Sequence, residues 1–384
     1  MTNRVLGRVC LTGLLLLVPT AAGCRLLPDR ALSYPADQVI YRGFDGPPRI
    51  RFGTYPSSNI GTFFLSPNLG SHAYCFSPFE KDGVAYTCRG GHIDIIHVRI
   101  SADWTAYLTA TAYRHLINHE SGFSCKLAVD RSESFVTFTY PEDWDSLSKL
   151  EQMRIAREVA LALGPYLTFT MTTWHEMLTW YGFKCIGPFP EFPSAFSWED
   201  SYSNLLGTII AVRALEDPQH KYNQAVKIAL DEEMRKLGIQ PARVARQASE
   251  SVRGKWFTGN VIFHVNMKKR NFDIGLEDGY ITPTLVPDVS ACPDAEPLPY
   301  TVPTLEVLSK YGFSAKLEIE PHEWERDKIL RVAYGNKPGK RIIPEEHFAL
   351  IMNDIRRQAV AMYGPEYEPA PGRDIAQTTA SRAR

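Results

Sequence analysis

Ser148-Lys149-Leu150-Glu151 opens the stretch that decides the fold, residues 148–182, SKLEQMRIAREVALALGPYLTFTMTTWHEMLTWYG. A serine with a glutamate three residues later has capping-box spacing, in which each side chain bonds the other's backbone N–H. The run that follows is mostly apolar and predicts a long helix to Tyr181. Gly164-Pro165 is the expected break or kink, and Gly182 the stop.

The same signals recur on either side. Ser197-Trp198-Glu199-Asp200 is a second capping box, opening a helix through about Leu215. Further helices are expected over roughly Tyr222 to Leu237, Pro241 to Val252, Leu305 to Tyr311 and Pro344 to Met362. Upstream, the apolar spacing from Asp94 predicts a helix ending near His119. Residues 61–92 read as strands and turns, and Phe123 to Tyr140 alternates as a strand does. Val261 to Val265 and Asn271 to Ile274 are short candidate strands, and six prolines between Pro283 and Pro303 mark a loop. The expected fold is α+β: a mainly helical core over about residues 90–250, with β-rich N- and C-terminal flanks. Residues 61–364 are read as one globular domain and 365–384 as a disordered tail. There is no internal repeat.

Arg4 and Arg8 precede an apolar run from Val9 to Val18, followed by Ala21-Ala22-Gly23-Cys24. This is the pattern of a secretory signal, too short for a membrane span of about 30 Å. Cysteine directly after Ala-Ala-Gly resembles a bacterial lipobox, so residues 1–23 are expected to be removed and Cys24 lipidated. Residues 24–60, rich in Pro, Arg and Tyr, read as a tether and irregular lead-in. The expected location is the cell envelope, anchored by lipid. Arg25 after Cys24, with no Asp retention signal there, points by analogy to the outer membrane, facing the periplasm. Loss of two arginines and no acid moves the formal charge from −1 to −3, which offers no basic face for nucleic acid.

An envelope location permits disulfides. Cys75 and Cys88 flank the turn Lys81-Asp82-Gly83, so a pairing across a hairpin is one expectation. A free Cys88, with His92 or His97 as base, would instead be a nucleophile.

Three segments place polar groups inside the helical half. Asp94 and His97 share a helical face; His175 and Glu176 lie on one stripe with Thr172 and Thr179; Asp200 and Asn204 share a face after Glu199. Imidazole nitrogen and carboxylate oxygen together are the ligands of a divalent metal, zinc first. His175-Glu176 opens like a zinc-protease helix, but residue 179 is Thr, so His-Glu-x-x-His is not completed. A site drawn from separate helices would use His97, His175 and Glu199 as metal ligands and Glu176 as general base, with Arg99 steadying an anionic substrate. The competing reading is a structural His–carboxylate network, in which Arg99 and Asp103 are an i, i+4 ion pair and Asp200 is a helix cap. The remaining histidines, His72 among them, offer no usable spacing.

Three strings carry a resemblance: Tyr86-Thr87-Cys88-Arg89-Gly90-Gly91 with Ile93-Asp94 and His97-Val98-Arg99; Trp174-His175-Glu176 with Thr179-Trp180-Tyr181-Gly182; and Glu199-Asp200 with Tyr202-Ser203-Asn204-Leu205-Leu206-Gly207. Together they resemble the bacterial family of unknown function DUF4056, over about residues 40–330. The resemblance implies a shared fold, and membership among frequently lipid-anchored proteins. It implies no activity. Position 92, aromatic in the family pattern, is His92 here, which argues against that residue as an essential ligand. The leading expectation is a lipid-anchored, metal-dependent hydrolase. The alternatives are a non-catalytic envelope lipoprotein and a Cys88 thiol enzyme.

Overall fold

The computed structural model describes residues 44–51, 53–58, 61–64, 68–75, 79–184, 191–259 and 265–367. The signal segment, Cys24, most of the tether, the first four residues of the candidate strand at 261–265 and most of the C-terminal tail lie outside them.

Strand β1 (Val84–Thr87) and β2 (Gly91–Asp94) form an antiparallel hairpin, with Tyr86 opposite His92. The chain passes directly from β2 into α1 (Ile95–Ile117). Asp94 makes that change of direction possible: its backbone is extended and its carboxylate accepts the Ile96 N–H at 2.8 Å, capping the helix. β3 (Gly122–Cys125) and β4 (Glu133–Thr139) follow, so the strand-like run from Phe123 to Tyr140 is two strands folded back, Phe123 opposite Val136. Next come α2 (Lys149–Trp180), α3 (Asp200–Glu216), α4 (Tyr222–Lys236), β5 (Ile239–Gln240), which joins the free edge of β1, and α5 (Ala242–Ser251). Two short pairs, β6 (Phe257–Thr258) with β7 (Asn266–Met267) and β8 (Tyr280–Ile281) with β9 (Tyr300–Thr301), lead to α6 (Glu306–Lys310). Strand β10 (Ser314–Glu320) then pairs antiparallel with β4, Leu317 opposite Val136, before α7 (Arg326–Tyr334) and α8 (Pro344–Tyr363). The fold is α+β with a helical core.

Asn271 to Ile274 is not a strand. The Asn271 carboxamide takes the Asp273 N–H and the Asp273 carboxylate takes the Gly275 N–H, so these side chains draw the backbone out of any ladder.

The helix that decides the fold forms as its sequence predicts. Ser148 Oγ accepts from Glu151 N, and Ser148 N donates to Glu151 Oε2, both at 3.3 Å. It is not broken at Gly164-Pro165, however; the helix runs through both. Burial of its length among Leu108, Leu116, Val136, Leu317 and Ile351 outweighs the one backbone bond that Pro165 cannot make, a cost of about 3 kcal/mol. Gly164 is there for contact: a Cβ on it would run into Thr109 Oγ1 and stand 2.9 Å from Thr105 O. Gly207 of α3 similarly lies against the Val98 carbonyl and Ser101. Helix α1 is thus crossed at close range by two helices, each at a glycine. Gly164→Ala is expected to destabilise by about 1–3 kcal/mol, read from the urea midpoint, although alanine favours a free helix by about 1 kcal/mol. A stabilised variant would refute the close crossing.

Candidate active site

Helix α1 presents His97 from its first turn, and α2 presents His175 and Glu176 from its C-terminal third. The start of α3 brings Glu199 and Asp200. His97 Nδ1 lies 3.1 Å from Asp200 Oδ1 and 3.7 Å from Asp94 Oδ2. His175 Nδ1 lies 2.6 Å from Asp130 Oδ1, and its Nε2 is 4.0 Å from Glu191 Oε2. The carboxylates behind Nδ1 are sealed, whereas the His97 and His175 side chains are 23 % and 22 % exposed. Two partly open imidazoles therefore rest on a buried acidic floor.

Backbone N–H groups hold that floor in place. Asp94 accepts from Thr54 N at 3.1 Å, Asp200 from Ser197 N at 2.7 Å, and Glu176 from Phe196 N at 2.7 Å. Phe196 adopts φ +52°, a costly conformation for an aromatic residue. Arg270 anchors the loop, its guanidinium donating to the Ala195 and Phe192 carbonyls. The expected second capping box does not open the helix, which starts at Asp200 with Glu199 at its N-cap and no side-chain cap. Asp200 takes the Ser197 N–H, and its own N–H goes to the Ser197 carbonyl, in the turn before the helix.

Crowded acids determine the charges. Burial opposes the charged form of His97, but Asp94, Asp200 and Glu176 outweigh it and push the imidazole up to about 10. Burial likewise opposes charge on His175, and Asp130, Glu176 and Glu191 push it up to about 9. Burial and the nearby Asp200 raise Glu176 to about 7. Burial and Asp200 hold Glu199 well above the usual carboxylate range. Glu176 is the acid felt by both imidazoles, which ties the two histidines into one electrostatic unit.

His97, His175, Glu176, Asp94, Asp200 and Glu199 are thus brought together, but not in every expected role. Glu199 is sealed, so it sits behind the histidine edges as a buried acid. Among the described residues, no group of three or more His, Cys, Asp or Glu is arranged to hold a metal ion. Asn204 instead accepts from Ser101 Oγ at 2.9 Å, tying α3 to α1. Arg99 is not available to an anionic substrate. It is 1 % exposed and donates to the Lys81 and Leu69 carbonyls, beside Glu80 and Asp82. It does not form the expected pair with Asp103, which binds His72 and Arg51.

Cys88 pairs with Cys292, not with Cys75, which is in a different disulfide. Flanking a turn was too weak a constraint: the proline-rich loop returns 204 residues later to meet the β1–β2 turn. A bonded sulfur is no nucleophile, so the Cys88 thiol reading falls. Free Cys125 is buried against Met171, and burial pushes its thiol up to about 12.

Several site residues carried no sequence signal. Asp130 stands in a turn 45 positions from His175. The segment around Tyr55 crosses the site: a Cβ on Gly53 would come within 2.8 Å of His97 Nε2, and Tyr55 lies near Glu191, Ser194 and Asp200.

These features define an α+β protein with two carboxylate-backed histidines at the meeting of three helices. The chain belongs to the family DUF4056, protein of unknown function, whose model matches residues 61–281. No curated protein and no solved structure matches it. Among the described residues, no helix is long and apolar enough to cross a membrane.

Proposed function

We propose that this chain is a lipid-anchored hydrolase of the bacterial cell envelope, held in the outer membrane and facing the periplasm, with His97 and His175 as its proton-transfer groups. The observation that supports this is a sealed carboxylate beside each Nδ1, hydrogen-bonded at His175 and at ion-pair distance at His97, while each ring stays partly open. A carboxylate at Nδ1 fixes the tautomer and steadies the imidazolium, leaving Nε2 to exchange a proton with water or substrate. Glu176, raised to about 7 by burial and Asp200, can take up or return a proton near neutrality, below the range in which the two imidazoles do so.

A zinc-dependent form of the reaction is the second reading, and it draws on the carboxylates behind the imidazoles. It requires side chains to move onto the ion, because among the described residues no three ligands already surround one position. Zinc-bound histidines are oriented by a carboxylate on the other ring nitrogen. Here Glu191, near His175 Nε2, is better placed as a carboxylate ligand than Glu176, whose Oε2 holds the Phe196 N–H.

The test uses the full chain purified without chelator or affinity metal, analysed for metals and screened against ester, amide and phosphoester substrates. The expected result is turnover that falls by about 10²–10⁴-fold in His175→Ala with the melting temperature nearly unchanged. One equivalent of zinc lost in the same variant supports the metal form; turnover without bound metal supports the acid–base form. No turnover, no metal and a large loss of stability in His97→Ala would instead establish a structural network.

A further inference from the structure

Register in the β4–β10 pair has a consequence for the site. The strands are antiparallel with Glu320 opposite Glu133, so the residues leaving β10 run beside those entering β4. Glu323, three residues past the end of β10, therefore meets the turn Asp130-Arg131-Ser132. Its side chain, in a residue 1 % exposed, accepts four hydrogen bonds there. Oε1 takes the N–H groups of Arg131 at 2.8 Å and Ser132 at 2.7 Å. Oε2 takes the Ser132 hydroxyl at 2.7 Å and the His322 N–H at 3.0 Å. Ser132 Oγ in turn accepts from Trp174 Nε1 at 2.9 Å, one residue before His175 on α2.

We infer that Glu323 is a positioning residue of the candidate site: it fixes the turn from which Asp130 reaches His175. The Glu323 carboxylate is paired with no cation among the described residues, and all four of its bonds converge on the turn or on its own approach to it. A buried anion satisfied only by hydrogen bonds is costly to place and costly to remove. Here its bonds clamp the backbone on the C-terminal side of Asp130, while the Ser132–Trp174 bond ties that clamp to α2. Residue 323 lies beyond the 61–281 match, so the C-terminal part of the chain completes the site. The inference rests on the proposed role of His175, but its test reads geometry, not turnover.

The measurement is the ring N–H signal of His175 in the full chain, by NMR with labelled histidine, assigned by its loss in His175→Gln. Held 2.6 Å from Asp130, this proton is expected far downfield and slow to exchange. In Glu323→Gln, which replaces one acceptor oxygen by an NH₂ group facing a donor, the signal is expected to vanish or exchange at least about tenfold faster, the equivalent of one net hydrogen bond. The His97 ring should be unmoved. An unchanged His175 signal in folded Glu323→Gln overturns the inference, even if the melting temperature falls. Should that variant not fold, Ser132→Ala removes one of the four bonds and the Trp174 acceptor. The same faster exchange is then expected, and an unchanged rate refutes the positioning role. Loss of turnover in His175→Ala tests the catalytic proposal separately.

Discussion

Asp103→Ala is expected to destabilise the fold by about 3–5 kcal/mol, seen as a fall in the urea midpoint at constant slope. Asp103 is wholly buried on α1, with Oδ1 2.9 Å from His72 Nε2 and Oδ2 2.7 Å from Arg51 Nη2. Glu80 binds Arg51 Nε at 2.9 Å from the other side, pairs with Arg49, and takes the Ala73 N–H at 3.1 Å. These contacts fasten the N-terminal segment, whose described residues before β1 form only isolated bridges, onto the central helix. Burial works against ionisation of Asp103, yet His72 and Arg51 hold it down at about 2. Removing it leaves Arg51, 3 % exposed at its side chain, with Glu80 as its one remaining carboxylate among the described residues, which Arg49 also claims, and His72 without its Asp103 acceptor. That loss of compensation for buried charge accounts for most of the expected effect. Asp103→Asn should lose less, because the amide oxygen still accepts one bond. A loss below about 1 kcal/mol in Asp103→Ala would show that the segment is held by packing alone.

The parts of this architecture that depend on neighbours in sequence were legible. Ser148 and Glu151 cap α2 as their spacing requires, and Asp94 with His97 shares a face because i, i+3 does so on any helix. His97, His175, Glu176 and Asp200 meet, as polar groups in an apolar half should if they are to be satisfied. What was not legible is what partners decide. Arg99 carries the same charge wherever it points, and its burial is decided by where the fold brings Leu69, Glu80 and Lys81. At Gly164-Pro165, where a break or kink is expected, the helix is not broken, because a crossing helix overrides the local rule for a break. Asp130 and Glu323 are joined to the site only by strand register, and His72, which had no spacing to recommend it, is held by residues 8 and 31 positions away.

Stability is expected to fall as the pH rises from about 7 to about 10, by roughly 2–4 kcal/mol after allowance for the wet edges of the two imidazoles. The sign follows from the direction of each shift. His97 and His175 have folded values of about 10 and 9, above the 6.5 of a free imidazole, so the folded state holds protons that the unfolded chain releases. Their contribution is fully present below 6.5 and lost as the pH climbs through 9 to 10. Glu176, raised from 4.5 to about 7, acts in the same direction over a lower window, because an acid kept protonated by burial also favours the fold only while the proton remains. Asp103 acts oppositely: its contribution is complete above 3.8 and is lost as the pH drops through about 2. The melting temperature should therefore decline through the alkaline range, while below about pH 6.5 the buried His72 and His92, which burial keeps neutral, pull the other way. Replacing both histidines by glutamine should flatten the alkaline part of that decline, since glutamine holds no proton to lose. A melting temperature that stays level or rises between about pH 7 and 10 in the parent chain would mean that the acids do not hold these imidazoles charged, and the proton-transfer role assigned to them would lose its electrostatic basis.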